Sequence, residues 1–150
     1  MFKKILIISI LLTSFHGFSQ SEDIKDELRE NYLAFLTEEG FRPQLDEDKD
    51  ISFKSEGTTY YIIVKGKNDF TLSRYLSKDN ACSVKMLKTL NKTNRMFRNV
   101  TTYALKDCKT VVFSSRSWLN NPDDWKGVFY NSLSVIKNAQ EKSYEYFDEF

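Results

Sequence analysis

Histidine is almost missing from this chain. The only one, His16, lies near the N-terminus, and none follows it as far as Phe150. That excludes a Ser–His or Cys–His dyad, an imidazole proton shuttle and an imidazole metal ligand from everything downstream. Cys82 and Cys108 are the only cysteines, and their separation matches no zinc-binding spacing. The P-loop, G-x-G-x-x-G and G-x-S-x-G patterns are absent too. With 5 glycines and 2 prolines in 150 residues, no flexible linker divides the chain. Charge of one sign is also lacking: 22 basic against 21 acidic residues leave a net +1, too little to draw the protein to nucleic acid. The expectation is a protein that is not an enzyme and uses no cofactor.

What is present begins with a leader. Lys3 and Lys4 precede an apolar run from Ile5 to Leu12. Gly17 and Ser19 are small residues placed for a cut after Ser19. The run is too short for a permanent membrane span. Residues 1–19 therefore read as a cleaved signal peptide, and 20–150 as one exported domain, periplasmic or secreted, with no transmembrane segment after cleavage. Aromatics at 15% and apolar residues at 41% are enough for a single packed core. In an oxidising compartment Cys82 and Cys108 can pair. Such a bond would close a loop of about 26 residues and stabilise by about 3–4 kcal/mol. The alternative is two free thiols.

Periodicity places the elements. Ser21 to Glu39 carries Ile24, Leu28, Tyr32, Phe35 and Leu36 at helical spacing, with Gly40 as its stop. Phe41 to Leu45 reads as an edge strand marked by Pro43. Asp46 to Asp50 reads as a turn, and Ile51 and Phe53 as the core positions of a second strand. Glu56-Gly57 turns the chain into Thr58 to Lys65, apolar on both faces, and Phe70 to Leu76 follows as a fourth strand. Asn80 to Phe97 is a helix with Val84, Leu87, Leu90 and Phe97 read as its apolar stripe. Val100 to Lys106 and Thr110 to Trp118 form a hairpin. Asn121-Pro122-Asp123-Asp124 opens a long last helix with Trp125, Val128, Phe129, Leu133, Ile136, Ala139 and Phe147 on one face. The order α-β-β-β-β-α-β-β-α implies an α+β fold, an antiparallel sheet with helices packed on it.

The run Leu36-x-x-x-Gly40-Phe41-x-Pro43-x-Leu45-Asp46-x-Asp48-x-Asp50-Ile51-x-Phe53-Lys54-x-x-Gly57-x-x-Tyr60 resembles the opening of YbjN-like, type III secretion chaperone-like proteins. Leu90-Asn91-x-x-Asn94 and the Pro-Asp pair before Trp125 are similar to further pieces of that pattern. The resemblance extends from about Asp23 to Phe147. It implies a small α+β domain that binds other proteins or has no assigned role, often pairs as a homodimer, and offers no catalytic residues to carry over. The leader is a departure, because a secretion chaperone works in the cytoplasm.

Four features invite a functional reading. Asp46, Asp48 and Asp50 have the alternate spacing of a calcium loop, but Ile51 and Gly57 stand where the loop needs glycine and a bidentate glutamate. A solvated turn is the plainer reading. Lys85, Lys88, Lys92 and Arg95 share one helix face and could dock an acidic partner. Alternatively, they are the solvent side of an amphipathic helix. Tyr144, Tyr146, Phe147 and Phe150 crowd a helix C-terminus whose acids oppose the macrodipole, which suggests partner contact or self-association. Trp118 and Trp125 bracket a loop, as packing or as a pair of ligand-facing rings. The function expected is a non-catalytic exported binding or adaptor protein with a protein partner. A periplasmic immunity or inhibitor protein and a small-molecule or envelope-lipid binder are the alternatives.

Overall fold

The computed structural model describes residues 22–149. Helix α1 (22–38) leads into strands β1 (Gln44–Leu45), β2 (Ile51–Ser55), β3 (Thr58–Gly66) and β4 (Asp69–Ser77). Helix α2 (Val84–Met96), strands β5 (Thr101–Ala104) and β6 (Thr110–Trp118), a single 3-10 turn (Pro122–Asp124) and helix α3 (Trp125–Asp148) complete the order. The strands form one antiparallel sheet in the order β1-β2-β3-β4-β6-β5. Fold class and element order are those the sequence implies.

Local chemistry explains the boundaries. Helix α1 ends in a Schellman motif: Phe41 N–H donates to Leu36 C=O (2.8 Å) and Gly40 N–H to Thr37 C=O (3.0 Å). Gly40 supplies the positive φ this stop requires, at 83°. Glu56 and Gly57 both have positive φ, 50° and 78°, which suits a two-residue hairpin whose twist matches its strands. Ser83 caps α2 by accepting from Met86 N–H at 3.2 Å. The start of α3 differs from the sequence reading. Asn121 makes no side-chain cap bond, because Pro122 opens a 3-10 turn closed by Asp124 N–H donating to Asn121 C=O.

Alternation along the strands separates two faces. Phe53, Tyr60, Ile62, Phe70, Leu72, Val111 and Phe113 point inward beneath the helices and are buried. The centre of the core is aromatic. Phe129 of α3 lies 5.3 Å from Phe35, 5.7 Å from Phe53 and 6.4 Å from Phe70. Trp125 lies edge-on to Tyr32 (4.6 Å) and Phe35 (4.8 Å). The inward face of α2 is not the stripe its apolar residues suggest. Met86, Thr89, Leu90 and Thr93 are buried, whereas Val84 is 71% and Leu87 48% exposed. Thr89 and Thr93 can face the core because each hydroxyl donates to the carbonyl four residues back, Lys85 C=O and Thr89 C=O, both at 3.0 Å.

Candidate binding surfaces

The predicted basic face and the predicted aromatic end meet each other. Lys85 Nζ stands 4.3 Å from the Phe147 ring centroid and Lys78 Nζ 4.8 Å from the same ring. Lys92 Nζ stands 4.2 Å from the Tyr146 ring and pairs with Glu149. Each cation–ring contact at such a partly exposed site contributes about 0.5–1 kcal/mol. Acids at the end of α3 oppose its own dipole, but here they lie beside a lysine-rich helix. Lys85, Lys92, Tyr146 and Phe147 are thus engaged within the chain. Lys88 and Arg95 lie on the exposed side of α2. Tyr144 is 47% exposed, and its hydroxyl accepts from Gln140 Nε2 at 2.9 Å. Phe150 lies outside the described residues, as does the leader with its cut after Ser19.

The two cysteines are joined, Sγ to Sγ at 2.03 Å. The bond ties the residue before the α2 cap to the β5–β6 turn, where Cys108 has a φ of 54°. The aspartate run makes a turn: Asp46 Oδ1 accepts from Asp48 N–H (3.0 Å) and Asp50 N–H (2.9 Å). Asp50 in turn accepts from Val64 N–H at 2.9 Å. Burial holds the Asp50 carboxyl above its ordinary pKa, the Val64 bond opposes that shift, and Asp46 and Asp48 reinforce it. Among the described residues no group of acids, cysteines or histidines is arranged to hold a metal ion. The tryptophans do not form a pair. Trp125 is core, 1% exposed, whereas Trp118 is 73% exposed under the Arg116 guanidinium, 4.6 Å from its ring.

Two further surfaces escaped the sequence reading. On the sheet face opposite the helices, Tyr75, Val112 and Tyr103 lie in register across β4, β6 and β5, with Tyr61 edge-on to Tyr75 at 5.2 Å. At the other end of β4 on the same face, Asp69 accepts from Arg116 Nε and Nη2 and from Thr71 Oγ1. On the helix-covered face, Arg74 takes an inward position in β4, its guanidinium 5.9 Å from the Tyr60 ring centroid. A signal for it was available, since Phe70, Leu72, Arg74 and Leu76 alternate and one of the four is charged. The apolar space between α2, α3 and the sheet, lined by Leu76, Met86, Leu90, Val111 and Phe147, is filled down to about 20 Å³. That is room for about one water molecule, too little for a lipid chain. No helix of the described residues is long and apolar enough to cross a membrane.

Among the described residues, an antiparallel sheet with three helices on one face and a cross-linked helix start define the class: a small α+β domain. No family model and no curated protein matches the sequence. Solved structures do match its shape. YbjN from E. coli superposes with a TM-score of 0.59 at 10% identity, covering 73% of this chain and 86% of YbjN. An uncharacterised protein from Methanothermobacter thermautotrophicus gives 0.55 at 12%, covering 81% and 96%. The Yersinia pestis type III secretion chaperone SycH, solved with a fragment of YscM2, gives 0.46 at 12%, covering 72% and 92%. The fold is YbjN-like.

Proposed function

We propose that this protein is a non-catalytic binding domain that works outside the cytoplasm and holds an acidic, partly apolar protein segment against the outer side of α2. The observation carrying the proposal is the exposure of Val84 (71%), Leu87 (48%) and Met96 (64%) on a helix whose inner side is already packed. Large apolar side chains beside cations suit a partner that brings both apolar groups and carboxylates. A twofold homodimer through this face would set Arg95 and its lysine neighbours against their own copies, so a different chain is the better occupant. An immunity or inhibitor role is a special case, with a toxin or hydrolase as that chain.

Export is part of the proposal. Residues 1–19 act as the leader, and the rest is one domain in the periplasm or beyond. The Cys82–Cys108 bond supports this, because such bonds persist in oxidising compartments.

The test is affinity capture from envelope extract without reductant, followed by titration of the purified partner against wild type, Leu87→Asp and Arg95→Glu. Each variant should bind at least about tenfold more weakly, a loss of roughly 1.4 kcal/mol. Wild-type affinity in both would end the proposal for α2. An intact mass that still includes residues 1–19 would end it for export.

A further inference from the structure

Arginines that turn inward normally bring their counter-charges with them. Arg29 does so: it is 7% exposed and donates to Asp26, Glu22 and Lys49 C=O. Arg74 does not. It projects from β4 under α3, and among the described residues the one group facing its charge is the Tyr60 ring. Its five N–H donors have no acceptor among the described residues, although guanidinium is suited to gripping a carboxylate with two parallel bonds.

Arg74 lines a recess of about 260 Å³ between the β2–β3 hairpin, β4 and α3, together with Ser55, Thr58, Tyr60, Gln140 and Glu141. Gln140 is 6% exposed, and its Oε1 is the one buried side-chain polar atom without a hydrogen-bond partner among the described residues. A buried acceptor left unsatisfied is destabilising, so such atoms are rare in folded proteins. Whichever way the amide is turned, Tyr144 satisfies only one of its ends. The hairpin tip is fastened across the recess by Glu56, which pairs with Lys137 of α3 at 2.5 Å. With those two charges paired, the recess is left with a cation, Arg74, and a carboxylate at its rim, Glu141, and Gln140 of its wall keeps a buried, unsatisfied acceptor. The volume equals that of about nine water molecules, which suits a small molecule better than a peptide.

We infer that this recess is a binding site for a free α-amino acid, taken as its zwitterion, with the carboxylate on Arg74 and the ammonium on Gln140 Oε1 and Glu141. The site is separate from the outer face of α2 and does not depend on the reading given for that face. Binding turns an orphaned acceptor and an unpartnered guanidinium into satisfied groups. A ligand with only one of the two charges satisfies only one of them.

The purified protein would be titrated calorimetrically with glycine and L-glutamine, and with acetate and methylammonium as half-ligands. Saturable binding of a zwitterion is expected, with each half-ligand at least about tenfold weaker. Arg74→Gln and Gln140→Leu should each weaken zwitterion binding by at least about tenfold, while thermal melts show that both variants remain folded. Arg74→Lys keeps the charge but not the paired geometry, and should fall between wild type and Arg74→Gln. Three results would each overturn the inference: no saturable heat with either amino acid up to about 10 mM, acetate binding as tightly as glycine, or wild-type affinity in both Arg74→Gln and Gln140→Leu.

Discussion

Tyr32 shows how much one side chain can depend on its surroundings. It is 2% exposed, edge-on to Trp125 and Phe70. Burial first, and then the nearby Asp69 carboxylate, push its phenol from 10.0 up to about 12. The fold therefore holds this proton more tightly than the unfolded chain does. Its contribution is complete below the unfolded value of 10.0 and is lost as pH rises through about 12. A displacement of that size corresponds to roughly 2–3 kcal/mol. Denaturant melts between about pH 9 and pH 12 should show wild type losing that much more stability than Tyr32→Phe, which has no proton to lose. Equal losses in the two proteins would mean the phenol is not held this way. The same comparison explains why Arg29 calls for no ligand while Arg74 does: the first has two carboxylates and a carbonyl, the second only a ring.

Between elements, the join of α2 to the edge strand β5 is made by two side chains, Asn94 and Thr102. Asn94 Oδ1 accepts from Thr102 N–H (2.6 Å), and its Nδ2 donates to Thr102 C=O (2.9 Å). Thr102 is 3% exposed, and its hydroxyl reaches Leu90 C=O at 3.1 Å. An Asn94→Ala change would strand two buried backbone groups, and the expected loss is about 2–3 kcal/mol. The Thr102 amide should exchange its hydrogen much faster while the β3–β4 amides stay protected; uniform acceleration across the sheet would contradict a local role. Strand and helix order was legible because alternation and 3.6-residue spacing are local properties. Which helix faces which is not local. The spacing of Lys85 and Lys92 reveals a charged face, but nothing in that pattern reveals that Tyr146 and Phe147 will cover it. Val84 and Leu87 misled for a related reason: two threonines that satisfy their own hydroxyls compete well for the inward positions. The Cys82–Cys108 pairing was within reach, since it needs only a helix running out and a strand running back. The recess was not, because Gln140 becomes an orphan only when α3 settles over β4.

At the scale of the molecule the sheet is one-sided, and the two faces should respond to mutation very differently. Helices α1, α2 and α3 share the face that holds Phe53, Phe70 and Phe113. Phe129 of α3 ties α1 to the sheet: it is 0% exposed and lies against rings from α1, β2 and β4. Truncating it removes ring contacts from three elements together, and neighbours this large cannot collapse into the gap. Phe129→Ala should therefore cost about 3–5 kcal/mol, a large share of the roughly 5–15 kcal/mol that holds a domain together. Trp118, on the opposite face and 73% exposed, mainly supports the Arg116 guanidinium. Trp118→Ser should cost less than about 1 kcal/mol. Urea unfolding of the two variants beside wild type would measure both losses. If Trp118→Ser proved as damaging as Phe129→Ala, the open face would be part of a second core, and the one-sided architecture from which the binding surfaces are argued would be wrong.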